Sequence, residues 1–428
     1  MKNNIFFKNC FVFNFVELFK KIGLIGFVYF VSKYSLAFSA PIEIEEPFIQ
    51  KILKQSETTP DISEIFSIPI PKITAKSWIV FDVNSEQIIA SFNPNIKSEP
   101  ASLTKIMTAY IVFNELKGKR LTLDQKISIS DFAWRTTGSR MFIEPRNSVT
   151  VHELTQGMIV QSGNDASVAL AEAIEGSESA FVSLMNQEAT RLGMHDTCFT
   201  NSTGLPDPQN LTTAYDLGKL SISLIKKHSQ FFHYYKQKQF TYNNISQFNR
   251  NRLLWIDPTI DGMKTGHTNS AGYCLISTAV RGDRRILVVV LGSDSELSRS
   301  QESLKLLNWS FQNFSSIPVV NKHQKIANAR IWQGKLKEIS VGSKNSLWLV
   351  IPRGRENDIN TIIEYIDPMF APLKIGQTIG ILKFILDDKI LQSVPLITLQ
   401  NVDRNGMYGR LLDSLNRIIN KYTSLEFY

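Results

Sequence analysis

Ser102 and Lys105 lie three residues apart in Pro100-Ala-Ser-Leu-Thr-Lys-Ile-Met-Thr108, where helical spacing puts a hydroxyl and an amine on one face. Serine is a weak nucleophile near neutral pH, and an amine can activate it only when that amine is uncharged. The condition calls for a lysine stripped of water or crowded by another cation. Unpaired N–H groups at a helix start also favour negative charge developing beside the serine. The same spacing recurs at Ser223-Leu-Ile-Lys226, which reads as the solvated side of an ordinary helix, so the pair alone says little.

Two further clusters strengthen it. Residues 151–175 carry apolar side chains at helical spacing, read as two helices with Ser162-Gly163-Asn164 at their join. There a second hydroxyl can relay a proton to a leaving group while the amide holds a substrate backbone. Lys264-Thr265-Gly266, followed by His267, precedes two apolar runs at 273–280 and 286–291 split by Arg281-Gly-Asp-Arg284, a strand, turn, strand pattern. A lysine and a threonine on a strand lining a cleft hold a carboxylate by charge and hydroxyl together. Gly266 lets a ligand approach the backbone, and Lys264 is the second cation expected to keep Lys105 neutral.

The elements that must carry these groups are legible nearby. The fold is expected to begin near Ala75, with residues 77–82 and 87–91 as a β-hairpin. The Ser102 helix should end near Lys117-Gly118. A loop rich in Gly, Pro, Thr and Asp at 201–216 should lead into a helix over 215–227. Beyond residue 314, short alternating runs with turns at Gly334, Gly342 and Pro352-Arg-Gly354 predict a small all-β domain over 319–400.

The ends of the chain differ. Lysines at 2, 8, 20 and 21 precede an apolar stretch at 22–31 and small residues at 35–40, the pattern of an export signal, taken as 1–39. A retained membrane anchor is the competing reading. Residues 40–72, with five prolines, read as a linker into a folded domain at 73–314. At the other end, Met407, Tyr408, Leu411, Leu412, Leu415, Ile418, Ile419 and Tyr422 share one helix face within 405–428. That helix is too polar to span a bilayer and suited to lie on an anionic one.

With 428 residues and 43% hydrophobic content, the chain can bury one large core and one smaller one. A formal charge of +8 is dispersed, with no basic run interleaved with aromatics, so no nucleic-acid partner is expected. The six histidines form no metal-binding pattern, and neither a metal nor a cofactor is expected. Cys198 and Cys274 could pair, but two buried thiols are the expectation.

The strings quoted above, with Ser162-Gly-Asn-Asp-Ala166, Asn249-Arg-Asn-Arg-Leu-Leu-Trp255 and Asp261-Gly-Met-Lys-Thr-Gly-His-Thr268, follow the order found in penicillin-recognising serine enzymes. Residues 75–314 resemble the D-alanyl-D-alanine carboxypeptidases, the low-molecular-mass penicillin-binding proteins. The resemblance implies an α/β (α+β) fold with an antiparallel sheet, a helical cluster and a β stalk. It implies that Ser102 attacks the carbonyl between two terminal D-alanines of a peptidoglycan stem, that Lys105 takes its proton, and that Ser162 with Lys264 returns one to the leaving D-alanine. Backbone N–H groups of Ser102 and His267 would form the oxyanion hole. Asn164 would bind peptide backbone, and Thr265 with Arg250 the terminal carboxylate, although Arg252 lies close by. β-Lactams would acylate the same serine, and the protein would sit at the periplasmic face of the inner membrane. A β-lactamase, an endopeptidase of the same fold and a non-catalytic wall-binding protein are the alternatives.

Overall fold

The computed structural model describes residues 61–423. The expected export signal, the first part of the expected linker and the final five residues lie outside the described residues.

Strands β1 (Ser77–Asp82) and β2 (Ile88–Phe92) form the expected hairpin. All six residues of β1 are buried, because the sheet is covered on both faces. Helices α1 (Lys105–Lys117), α2 (Val151–Gln156), α3 (Asn164–Glu175), α4 (Glu178–Arg191) and α5 (Ala214–Lys227) gather on one side. Three long strands, β3 (Ile260–Thr268), β4 (Gly272–Arg281) and β5 (Arg284–Ser293), complete an antiparallel sheet of order β2-β1-β5-β4-β3. Helix α6 (Glu296–Asn313) closes the other face. The period-two pleat divides the strand residues between the two cores: Ile79 and Phe81 join the helical cluster, while Trp78 and Val80 pack with Leu306 and Leu307 of α6.

Helix α1 is apolar nearly all round and ten of its thirteen residues are buried, as a helix sealed inside a domain should be. The turn before it, which carries Ser102, differs from the expectation. Residues Ala101–Thr104 form a 3-10 turn and the α-helix begins only at Lys105. Helix α2 opens with a reciprocal capping box between Thr150 and Glu153.

The second half is all β: β6 (Phe314–Val320), β7 (Lys325–Arg330), β8 (Glu338–Gly342), β9 (Leu347–Pro352), β10 (Asn360–Tyr365), β11 (Thr378–Leu386) and β12 (Lys389–Thr398). Five of these make an antiparallel sheet of order β7-β8-β12-β11-β10, and β6 pairs with β9. The halves are bonded through buried groups. Gln87 Nε2 donates to the Leu391 carbonyl (3.0 Å) and its Oε1 accepts from Val350 N (2.7 Å). Arg284 Nε donates to Asp82 Oδ2 at 2.8 Å, and Ser316 Oγ donates to Asp82 Oδ1 at 3.1 Å.

The expected linker is corrected where it is described. Residues 61–72 pack onto the domain: Ile62 is fully buried, Ser91 Oγ donates to Asp61 Oδ2 (2.6 Å) and Trp309 Nε1 to the Pro69 carbonyl (2.7 Å). Apolar Ile62, Ile65 and Phe66 fill the seam between sheet and stalk, which outweighs the proline signal. The cysteine expectation also changes. Both are free thiols, Cys274 buried but Cys198 exposed.

Helix α7 (Met407–Thr423) lies against the stalk by its polar side. Asp413 Oδ2 accepts from Gln333 N (3.0 Å), Gln333 Nε2 donates to Ser414 Oγ (3.2 Å), and the Arg417 guanidinium stacks 5.1 Å from the Phe370 ring centre. Met407, Tyr408, Leu411, Leu412 and Leu415 remain exposed, the first two by 79% and 76%. The side chains of Ile418, Ile419 and Tyr422 lie outside the described residues. Among the described residues no helix is long and apolar enough to cross a membrane.

The Asp82–Arg284 pair yields a test. Asp82→Ala leaves a buried guanidinium without its carboxylate, and urea denaturation of the full chain is expected to show a loss of about 3–5 kcal/mol. A loss below about 1 kcal/mol would show that the carbonyls around Arg284 suffice.

Candidate active site

The site forms where the 3-10 turn at Ala101–Thr104, the α2–α3 junction and strand β3 meet. Contact between β3 and the turn is tight. A Cβ on Gly266 would lie 3.0 Å from the Pro100 carbonyl oxygen and 3.2 Å from Ala101 Cβ, so a side chain here would push strand and turn apart by a few tenths of an ångström. From the opposite side Gly204, at φ +80°, presses on the Ala101 carbonyl. Ala101 itself sits at φ +46°, a left-handed conformation that alanine holds only when its surroundings impose it.

Lys105 is 1% exposed, and its Nζ is 3.1 Å from Ser102 Oγ, 2.6 Å from Asn164 Oδ1 and 2.5 Å from the Thr203 carbonyl. The geometry dictates the role of each electron pair. A neutral amine has two N–H bonds and one lone pair. Two carbonyl oxygens take the N–H bonds, which leaves the lone pair for the Ser102 hydroxyl proton. Burial is the first cause that brings this amine down to about 7, and the Arg250 cation is the second, while Asp165 and Glu178 push the other way. The sequence expectation that Lys264 supplies the crowding charge is therefore amended: burial and Arg250 act first on Lys105. Lys264, 3% exposed, is itself held well below its usual range by burial, then by Lys105, Arg250 and Arg299. Its Nζ donates to the Thr265 carbonyl at 2.9 Å.

Ser162 ends a π-helical turn, Gly157–Gln161, in the left-handed conformation at φ +66°. The widened turn lifts it out of helical register. Its Oγ is buried and has no hydrogen-bond partner among the described residues, as expected of a hydroxyl that awaits a substrate. Asn164 is anchored at both ends of its amide: besides accepting from Lys105 it donates through Nδ2 to the Thr137 carbonyl at 2.7 Å, and it retains a second N–H and a second lone pair. Thr265 is buried on β3, and His267 is exposed at its end, its ring 4.1 Å from that of Tyr273. Arg250 bears electrostatically on both lysines, whereas Arg252 turns outward to pair with Glu296 at 2.9 Å. Of the two, Arg250 is the one whose charge reaches both lysines.

Several contributors escaped the sequence reading. The Thr203 carbonyl comes from the loop read only as a connector, and Gly204 beside it was the available signal. Arg299, 5% exposed on α6, donates to the Gly266 carbonyl at 3.3 Å from behind β3; an arginine inside an ordinary helix pattern carries no such signal. Asp165, adjacent to Asn164, is fully buried and was passed over as part of a motif. Among the described residues no three His, Cys, Asp or Glu side chains gather as metal ligands.

Comparison with known proteins identifies the family. A model of the D-alanyl-D-alanine carboxypeptidase family matches residues 64–295, and one of the penicillin-binding protein 5 C-terminal domain matches residues 314–404. D-alanyl-D-alanine carboxypeptidase DacC of Escherichia coli (strain K12) is 38% identical over 355 residues, covering 81% of this chain and 89% of that protein. The crystal structure of penicillin-binding protein 5 from Haemophilus influenzae superposes with a TM-score of 0.77 at 36% identity, covering 79% of this chain and all of the other. Penicillin-binding protein D2 from Listeria monocytogenes, in its ampicillin-bound form, matches 57% of this chain with a TM-score of 0.53 and 29% identity. On this evidence the chain belongs to the D-alanyl-D-alanine carboxypeptidase family of penicillin-binding proteins.

Proposed function

We propose that this carboxypeptidase works through an acyl-enzyme on Ser102, and that the observation carrying the mechanism is the Lys105 amine, sealed from water and 3.1 Å from the serine oxygen. Lys105 takes the Ser102 proton as Oγ attacks the carbonyl between the two terminal D-alanines of a peptidoglycan stem. The backbone N–H groups of Ser102 and His267 receive the developing oxyanion. Ser162, backed by Lys264, passes a proton to the departing D-alanine nitrogen. Asn164 orients the stem backbone, and Thr265 with Arg250 takes the terminal carboxylate. Water then hydrolyses the ester and restores Ser102. A β-lactam acylates the same oxygen, a reading supported by the ampicillin complex of the Listeria relative.

We further propose that the chain is exported and held at the periplasmic face of the inner membrane by α7. The support is the direction of its faces: polar side against the stalk, Met407, Tyr408, Leu411, Leu412 and Leu415 outward.

Purified protein incubated with a pentapeptide ending in D-Ala-D-Ala should release D-alanine and, after penicillin treatment, carry an adduct on Ser102. Ser102→Ala should do neither, and equal release by both would end this mechanism. Because Lys105 must be neutral to act and titrates at about 7, kcat/KM should rise with pH up to about 7 and then level off on that limb. Ser162→Gly should lower kcat by roughly a hundredfold or more as the proton relay is lost, while urea stability stays within about 1 kcal/mol, since φ +66° suits glycine. Leu411→Asp with Leu412→Asp should cut co-sedimentation with anionic vesicles about tenfold or more, given the apolar burial lost; unchanged binding would point to another anchor.

A further inference from the structure

The wall of the cleft beside Asn164 is built from residues 137–143, a stretch with little regular structure of its own. Two of its bonds go to Asn164: the Asn164 N–H donates to the Ser139 carbonyl at 2.7 Å, and Nδ2 to the Thr137 carbonyl at 2.7 Å. Its other end is gripped by one carboxylate. Asp165 Oδ1 accepts from the N–H of Met141 at 3.0 Å, and Oδ2 from those of Phe142 at 2.9 Å and Ile143 at 3.3 Å. Oδ1 also accepts from Ala166 N at 2.9 Å, in the first turn of α3. Phe142, 45% exposed, is held at φ +67°, a conformation a phenylalanine keeps only under such constraint. The carboxylate is fully buried, and the nearest cation, Arg140 Nε, stands 3.9 Å away without a hydrogen bond.

We propose that Asp165 is a positioning residue for the Ser102 reaction: its carboxylate clamps residues 141–143, so that Asn164 and the wall at 137–139 stay in place, and its charge offsets the cations crowding the cleft. This rests on the mechanism given above. An amide could not replace it, since Asn offers one acceptor oxygen and an NH2 group to a set of backbone donors that needs acceptors only. The charged groups bearing on Lys105 are Arg250 from the loop before β3, Lys264 on β3, Asp165 on α3 and Glu178 on α4. Asp165 and Glu178 favour the protonated amine, so deleting one of these negative charges makes Lys105 give up its proton at lower pH.

Single-turnover acylation of the purified full-length protein by a fluorescent penicillin separates these roles. Its amplitude counts folded, competent molecules and its rate reports the site. Asp165→Asn should slow acylation about tenfold or more at the optimum and move the acidic limb of the rate profile down by about half a pH unit or more. Asp165→Glu keeps the charge and disturbs the clamp, so its rate should fall while its limb stays with wild type. A wild-type rate in Asp165→Asn, an unmoved limb there, or a limb that moves equally in both variants overturns the proposal. If Asp165→Asn gives no adduct, the glutamate variant decides: a slowed rate on an unmoved limb supports the role, and a wild-type rate or no adduct overturns it. Absence of any Ser102 adduct in wild type would instead sink the underlying mechanism.

Discussion

A charged Lys105 ammonium inside the protein carries a desolvation cost, and its surroundings bring the neutral amine within reach near neutral pH. Helix α1 buries it, the Arg250 cation bears on it, and the carbonyls of Asn164 and Thr203 accept its two N–H bonds. What remains is a lone pair aimed at Ser102. This one interaction explains why so much of the helical cluster converges on a single nitrogen. A solvated lysine would be protonated and useless as a base, so the core around α1 is part of the chemistry as well as of the stability.

The same site concentrates strained backbone. Ala101, Phe142 and Ser162 all sit in the left-handed region, each at a cost of the order of 1–3 kcal/mol. They are held by neighbours that leave no room for relaxation: Gly204 and Gly266 against the Ala101 turn, Asp165 against Phe142, and the π-helical turn under Ser162. Bringing Ser102, Lys105 and Ser162 towards one cleft needs positions that regular helices and strands do not supply. The dense core of α1, α3 and the five-stranded sheet is what can bear that strain.

The stalk joins this machine firmly. Gln87 reaches from the first half to two backbone groups of the stalk, and Asp82 ties Arg284 to Ser316 across the junction. Helix α7 docks through Asp413, Ser414 and Arg417 and leaves its apolar side outward. The catalytic cleft is thus connected to that apolar face through bonded elements, with residues 61–72 packed along the seam.

Much of this was written in local pattern. The β-hairpin, the three strands of the sheet and the helix at 214–227 follow from periodicities of two and 3.6, which each segment carries whatever surrounds it. The motifs at Ser102, Ser162 and Lys264 singled out hydroxyls and amines on the elements that meet at the site. Tertiary structure alone decided the rest, since it concerns distances between residues far apart in the chain. That Arg250 rather than Arg252 faces the lysines, that Thr203 lends a carbonyl, that Arg299 braces Gly266 from behind and that Asp165 grips 141–143 are outcomes of packing. Residues 61–72 make the same point, because proline content describes a chain's stiffness but not the apolar seam that Ile62 and Phe66 fill. The sequence determined which chemical groups were present and on which elements; folding determined which were dried, which were paired and therefore which were reactive, because desolvation and charge proximity exist only once the chain has closed around them.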